Sequence, residues 1–95
     1  MHSRKIKLNT HELKSWPKFF GQLSIGLRTH ELRRNDRNYQ IGDYVNLREY
    51  DPKTQKYTGR NCIVEITSMT SIDEPCAVSD VALHQEFCIF SVRLI

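Results

Sequence analysis

Each thing missing from this 95-residue chain removes a class of function. Four glycines, at 21, 26, 42 and 59, cannot write Gly-x-x-x-x-Gly-Lys or Gly-x-Gly-x-x-Gly, which excludes the common phosphate loops. Neither Ser24 nor Ser91 sits in a Gly-x-Ser-x-Gly turn, so the usual serine-hydrolase frame is absent. No Cys-x-x-Cys occurs, and none of His2, His11, His30 or His84 stands at zinc spacing from Cys62, Cys76 or Cys88. Those three cysteines read as reduced, small apolar groups, and neither metal nor cofactor is expected. No apolar run approaches the roughly twenty residues that span a bilayer, and residues 1–8 lack the apolar core of a signal peptide. The expectation is a single cytoplasmic domain over residues 1–95, monomeric, with no membrane partner.

What is present is charge, unevenly placed. Residues 1–37 hold nine Lys and Arg against three Asp and Glu, a balance of +6, whereas residues 38–95 hold five against eight, a balance of −3. A basic half on a small domain suits an anionic partner, nucleic acid first, although a merely solvated face has the same composition. Four of the fourteen cations lie in one stretch, Gly26 to Arg37.

Residues 4–8 alternate, with Ile6 and Leu8 against Lys5 and Lys7, as in a half-buried strand. The phase slips at Leu13, so Asn9-Thr10 reads as a bulge or as the start of a second short strand after an extended tail over 1–9. Ser15 is a candidate cap and Pro17 a first-turn residue for a helix over 16–25. Trp16, Phe19, Phe20 and Leu23 form its apolar stripe, which is expected in the core in preference to a stacking platform for bases, and Gly26 suits its C-terminal end.

A strand near 29–34 follows, with Leu32 expected inward and Glu31 and Arg33 together on the other face. That pair reads either as an exposed ion pair or as a donor–acceptor set for a polar ligand. Ile41-Gly42-Asp43 reads as a turn. Residues 44–50 and 61–67 form a hairpin around the 51–56 loop, with Val45 and Leu47 inward and Cys62, Val64 and Ile66 sharing a face. Val78–Leu83 is weakly helical. Residues 87–95 are apolar on both faces, as in a central strand. This order predicts an α+β fold: a small mixed β-barrel of about five or six strands, plugged at one end by the early helix.

Several motifs stand together: Leu13-Lys14-x-Trp16-Pro17, Gly26-x-Arg28-Thr29-x-Glu31-x-Arg33-x-Asn35-Asp36-Arg37, Gly42-Asp43, Leu47-Arg48-Glu49-Tyr50-Asp51-Pro52 and Tyr57-Thr58-Gly59-Arg60. Their combination, over roughly residues 11–67, resembles the ASCH (activating-signal-cointegrator homology) family of the PUA-like superfamily, within it a branch of small bacterial and phage proteins. The resemblance implies a pseudo-barrel with a cleft beside the helix, and RNA or a nucleotide-like ligand as partner.

One class of relatives hydrolyses N4-acetylcytidine with a lysine two residues after the glycine, a threonine five after it and a glutamate beyond the hairpin. Here those first two positions hold Arg28 and Glu31, with Glu74 a candidate for the third. Arginine stays protonated and glutamate lacks the hydroxyl nucleophile, so the departures speak against that route and leave binding intact.

The expected ligand set is Arg28 and Arg33 on phosphate or a base edge, with Glu31 accepting from an amino group or orienting an arginine. Lys14, Arg34, Arg37, Arg48 and Arg60 supply the surrounding field, and Tyr39, Tyr44 and Tyr50 are candidate stacking rings or ordinary strand packing. Two alternatives stay open: a hydrolase or nuclease using Glu31 with Glu74 or Asp73, with Arg28 at its site, and a phage-type protein-interaction or inhibitor module.

Overall fold

The computed structural model describes residues 9–95, so the expected strand over residues 4–8 lies outside them. Five strands and one helix follow in the order β1 (Thr10–Ser15), α1 (Pro17–Ser24), β2 (His30–Arg34), β3 (Tyr44–Asp51), β4 (Lys56–Thr70) and β5 (Phe87–Leu94). They form one sheet in the order β1-β3-β4-β5-β2. Only β1 and β3 pair in parallel; the other neighbours are antiparallel.

Alternation decides which side chains meet. β3 sends Val45, Leu47 and Glu49 inward, and β5 sends Cys88, Phe90 and Val92. Val64 and Ile66 of β4, Leu13 of β1, Leu23 of α1 and Tyr39 of the β2–β3 loop complete the apolar cluster. Phe19 and Cys62 pack on it half-buried.

The sheet curls because β4 is long and interrupted. Arg48 faces Asn61 and Tyr50 faces Tyr57, so Thr58, Gly59 and Arg60 together stand opposite Glu49. Gly59 takes a left-handed φ of +96° at this bulge. A second register shift, between Ile66 and Ser68, bends β4 where it passes from β3 to β5. Bulges increase local twist and bend a strand, and the result is a curled half-barrel. The edge strands β1 and β2 share no ladder; side chains span the seam between them.

Several expectations need correction. The helix is Pro17–Ser24, and its N-cap is Trp16, with no side-chain cap. Ser15 instead ends β1 as a buried residue, and the carbonyl of Trp16 accepts from the N–H groups of Phe19 and Phe20. Of the expected apolar stripe, Phe20 and Leu23 are buried, but Trp16 is 47% exposed. On β2 the faces are reversed: Glu31 is buried and Leu32 exposed. β4 extends well beyond the expected 61–67 at both ends. β5 is hydrogen-bonded on both edges, as expected of a central strand, but Ile89 and Arg93 on its outer face are exposed. Val78–Leu83 forms turns and no helix; Val78 has φ +53°, which a right-handed helix does not admit.

Candidate functional site

The site begins at the exit of α1. Gly26 adopts φ +78°, and its N–H donates to the Leu23 carbonyl at 3.1 Å while that of Leu27 reaches Gln22 at 2.9 Å. This double closure is a Schellman motif, and it explains the glycine at that position. The Arg28 N–H also donates to the Gln22 carbonyl, at 3.1 Å, so the chain doubles back along the helix. The guanidinium of Arg28 then lies over the Phe19 ring, its Cζ 3.9 Å from the centroid. Its Nε is the buried side-chain polar atom that lacks a hydrogen-bond partner among the described residues.

β2 supplies the floor. Its entry is held by the Val92 N–H donating to the Thr29 carbonyl at 2.9 Å. Glu31 then points inward, 5% exposed, and its Oε1 accepts from Arg33 Nε at 2.8 Å and lies 2.7 Å from Arg33 Nη2. The same Nη2 donates to the Lys14 carbonyl at 2.6 Å, across the seam. A charge this buried needs a partner, and Arg33 is that partner.

The end of β1 supplies the far wall. Lys14, Ser15, Trp16, Phe19, Arg28, Glu31, Leu32 and Arg33 enclose a cleft of about 510 Å³, within the usual range for small-molecule sites. Three cationic residues and one acidic residue line it, a balance that favours an anionic ligand. Burial pushes the Cys62 thiol up, and the charge of Glu31 adds to the shift. Cys62 therefore keeps its proton and is a poor nucleophile.

Of the residues singled out in the sequence, Lys14, Arg28, Glu31 and Arg33 meet in this cleft. Others are engaged elsewhere. Arg34 pairs with Glu86 and lies over Phe87. Arg37 donates to the Glu12 carbonyl at 3.1 Å, a second bridge over the seam. Arg48 lies 3.2 Å from Glu12 Oε1 and covers the Tyr57 ring at 3.9 Å.

Arg60 stands 3.7 Å from the buried Glu49, which also accepts from the Thr58 hydroxyl at 2.7 Å. Tyr50 carries the Lys14 ammonium at 4.3 Å. Asp73 and Glu74 line a different cleft of about 400 Å³ with Asn35, Asn38 and Tyr39, so the pairing of Glu31 with either acid that the enzyme alternative needs does not form in one site.

Two features were not expected from the sequence. Trp16 and Phe19 line the cleft, although helical spacing assigns both to the core. Asp43, fully buried, accepts from the Asn9 N–H at 3.1 Å and the Gln40 N–H at 3.0 Å, and its Oδ2 lies 2.8 Å from His11 Nε2. Burial pushes the Asp43 carboxyl up, but the hydrogen bonds from His11, Asn9 and Gln40 outweigh it and hold the group below the ordinary value. This pair locks the start of β1 to the turn before β3. The Gly42-Asp43 turn marks one partner; nothing in spacing marks the other.

The fold and cleft define a small α+β domain with a curled five-stranded sheet and a cationic cleft at one end of its seam. The chain belongs to the DUF3850 family, described as a domain of unknown function, which matches residues 10–92 and so takes in β1 to β4 and most of β5. It is also similar to an uncharacterized 12.9 kDa protein in the GpA 3′ region of Escherichia phage P2, with 34% identity over 64 residues. That match covers 67% of this chain and 57% of the phage protein, so the chain spans little more than half of its relative's length. Among the described residues no helix is long and apolar enough to cross a membrane, and no three His, Cys, Asp or Glu side chains cluster as a metal site.

Proposed function

We propose that this protein is an RNA- or nucleotide-binding module of the PUA-like type, with the cleft between α1, β1 and β2 as its site. The observation that carries this reading is Arg28. A buried guanidinium N–H without an acceptor costs roughly 1–3 kcal/mol or more, and a ligand oxygen or ring nitrogen that draws the side chain off the Phe19 ring supplies the missing partner. Lys14 and Arg33 add positive charge beside it. Glu31 Oε1 is committed to Arg33, which leaves Oε2 to accept from a base amino group. Phosphate, base edge and amino group are thus matched by cation, guanidinium and carboxylate.

An enzyme working through Glu31 with Glu74 gains no support, because the two line separate clefts. Calorimetric titration of the four nucleoside monophosphates and of a short single-stranded RNA tests the reading. At least one of them binds, and Arg28→Ala weakens it about tenfold or more, as removal of a charged hydrogen-bond donor does. Absence of binding by all five ligands refutes it.

A further inference from the structure

We infer that the cleft continues onto the outer face of the sheet as a track for single-stranded RNA, read by rings and cations in alternation. This rests on the cleft being the RNA or nucleotide site. Trp16, at the cleft mouth, lies 6.0 Å from the Tyr50 ring, and Tyr50 lies 5.1 Å from the Tyr57 ring. Trp16 and Tyr57 are 47% and 42% exposed. The row has a simple cause. Trp16 directly follows β1, whose last residue pairs with Glu49 of β3; the next residue, Tyr50, pairs with Tyr57 of β4. Three adjacent strands therefore deliver one ring each.

Cations interleave with the rings. Lys14 Nζ stands 4.3 Å from the Tyr50 centroid and Arg48 Cζ 3.9 Å from that of Tyr57. Lys14 and Arg48 are themselves register partners on β1 and β3. Glu12 is the acid of this neighbourhood, and its side chain is held by Arg48. The protein has its own buried aromatic core in Phe20, Tyr39 and Phe90, so these outer rings are not needed there.

A partly exposed row of aromatic rings with cations over it matches single-stranded nucleic acid, whose bases stack on rings or guanidinium planes while phosphates meet the charges. A strand anchored in the cleft passes over Trp16 and is followed by Tyr50 and Tyr57.

Trp16 is the sole tryptophan and reports the event by its own fluorescence. Titration with uridine 5′-monophosphate and with oligouridylates of two, four and six nucleotides separates cleft from track. Affinity rises about tenfold from the monomer to the tetramer, the gain expected of added stacking, and then levels off. Tyr57→Ala removes part of that gain and leaves the mononucleotide constant unchanged, whereas Tyr57→Phe keeps both. If Tyr57→Ala fails to fold by circular dichroism, Arg48→Gln takes its place: it lowers tetramer affinity and reduces the salt slope by about one. Mononucleotide binding with no gain in length overturns the track and spares the cleft. Absence of binding by all the probes overturns both.

Discussion

Arg33 donates from β2 to the main-chain carbonyl of Lys14 in β1 at 2.6 Å, and through that bond the two edge strands meet across the open seam. The same side chain neutralises Glu31. One arginine thus closes the half-barrel and shapes the cleft floor, so stability and binding are coupled there.

Arg33→Ala strands Glu31 without its cation in a buried position. The expected loss is about 3 kcal/mol, the low end for breaking a buried pair, because Arg33 itself is partly exposed. Urea denaturation measures it. Adding Glu31→Gln to that variant recovers part of the loss, which a purely steric role for Arg33 does not predict.

The faces of α1 make separable predictions. Phe20→Ala and Leu23→Ala remove side chains that are 1% exposed and cost about 2–5 kcal/mol each. Trp16→Ala costs less than either in the same denaturation assay, because its ring is half in water.

Acid should loosen the contact between β1 and the turn before β3. Asp43 binds its proton less tightly folded than unfolded, where its value is near 3.8. Its contribution is therefore full above that pH and is lost as pH falls through the lower folded value. Chemical denaturation between pH 7 and pH 2 shows a steeper acid limb in the native protein than in Asp43→Asn. Equal limbs contradict the assignment.

Binding in the cleft is expected to weaken linearly with the logarithm of salt concentration, since neutralised phosphates release counterions. Arg28→Ala lowers the affinity for short single-stranded RNA; Lys53→Ala, in the turn between β3 and β4, does not. Equal effects indicate diffuse attraction and no site.

Hydrolysis of N4-acetylcytidine is not expected. Arg28 cannot serve as a base, and Glu31 is tied to Arg33. Acetate release is followed for the native protein and for Arg28→Lys with Glu31→Thr, the double change that introduces the lysine and threonine of the enzymes the sequence resembles. Turnover by the native protein, abolished by Glu31→Gln, reverses this conclusion.

Local chemistry was legible in the sequence. The β3–β4 hairpin follows from two alternating runs around a polar turn, and the end of α1 from Gly26, whose left-handed φ other residues rarely take. Arg28, Glu31 and Arg33, read as a ligand set, and Lys14, read as part of the surrounding field, line one cleft; the first three are near one another in the chain, and the motif order places Lys14 before the helix.

Other outcomes depended on the tertiary structure. Alternation on β2 defines two faces but not which is inside. The curl of the sheet decided that, by bringing the Lys14 carbonyl, nineteen residues away, within reach of Arg33 and turning the face with Glu31 inward. Trp16 keeps helical spacing with Phe20 and Leu23, yet as the N-cap it stands beside Tyr50 instead of in the core. His11 and Asp43 meet only because β1 pairs with β3 in parallel, a register that spacing along the chain does not encode. Side-chain type and period act within a few residues; which faces become interior is settled by contacts between strands far apart in sequence.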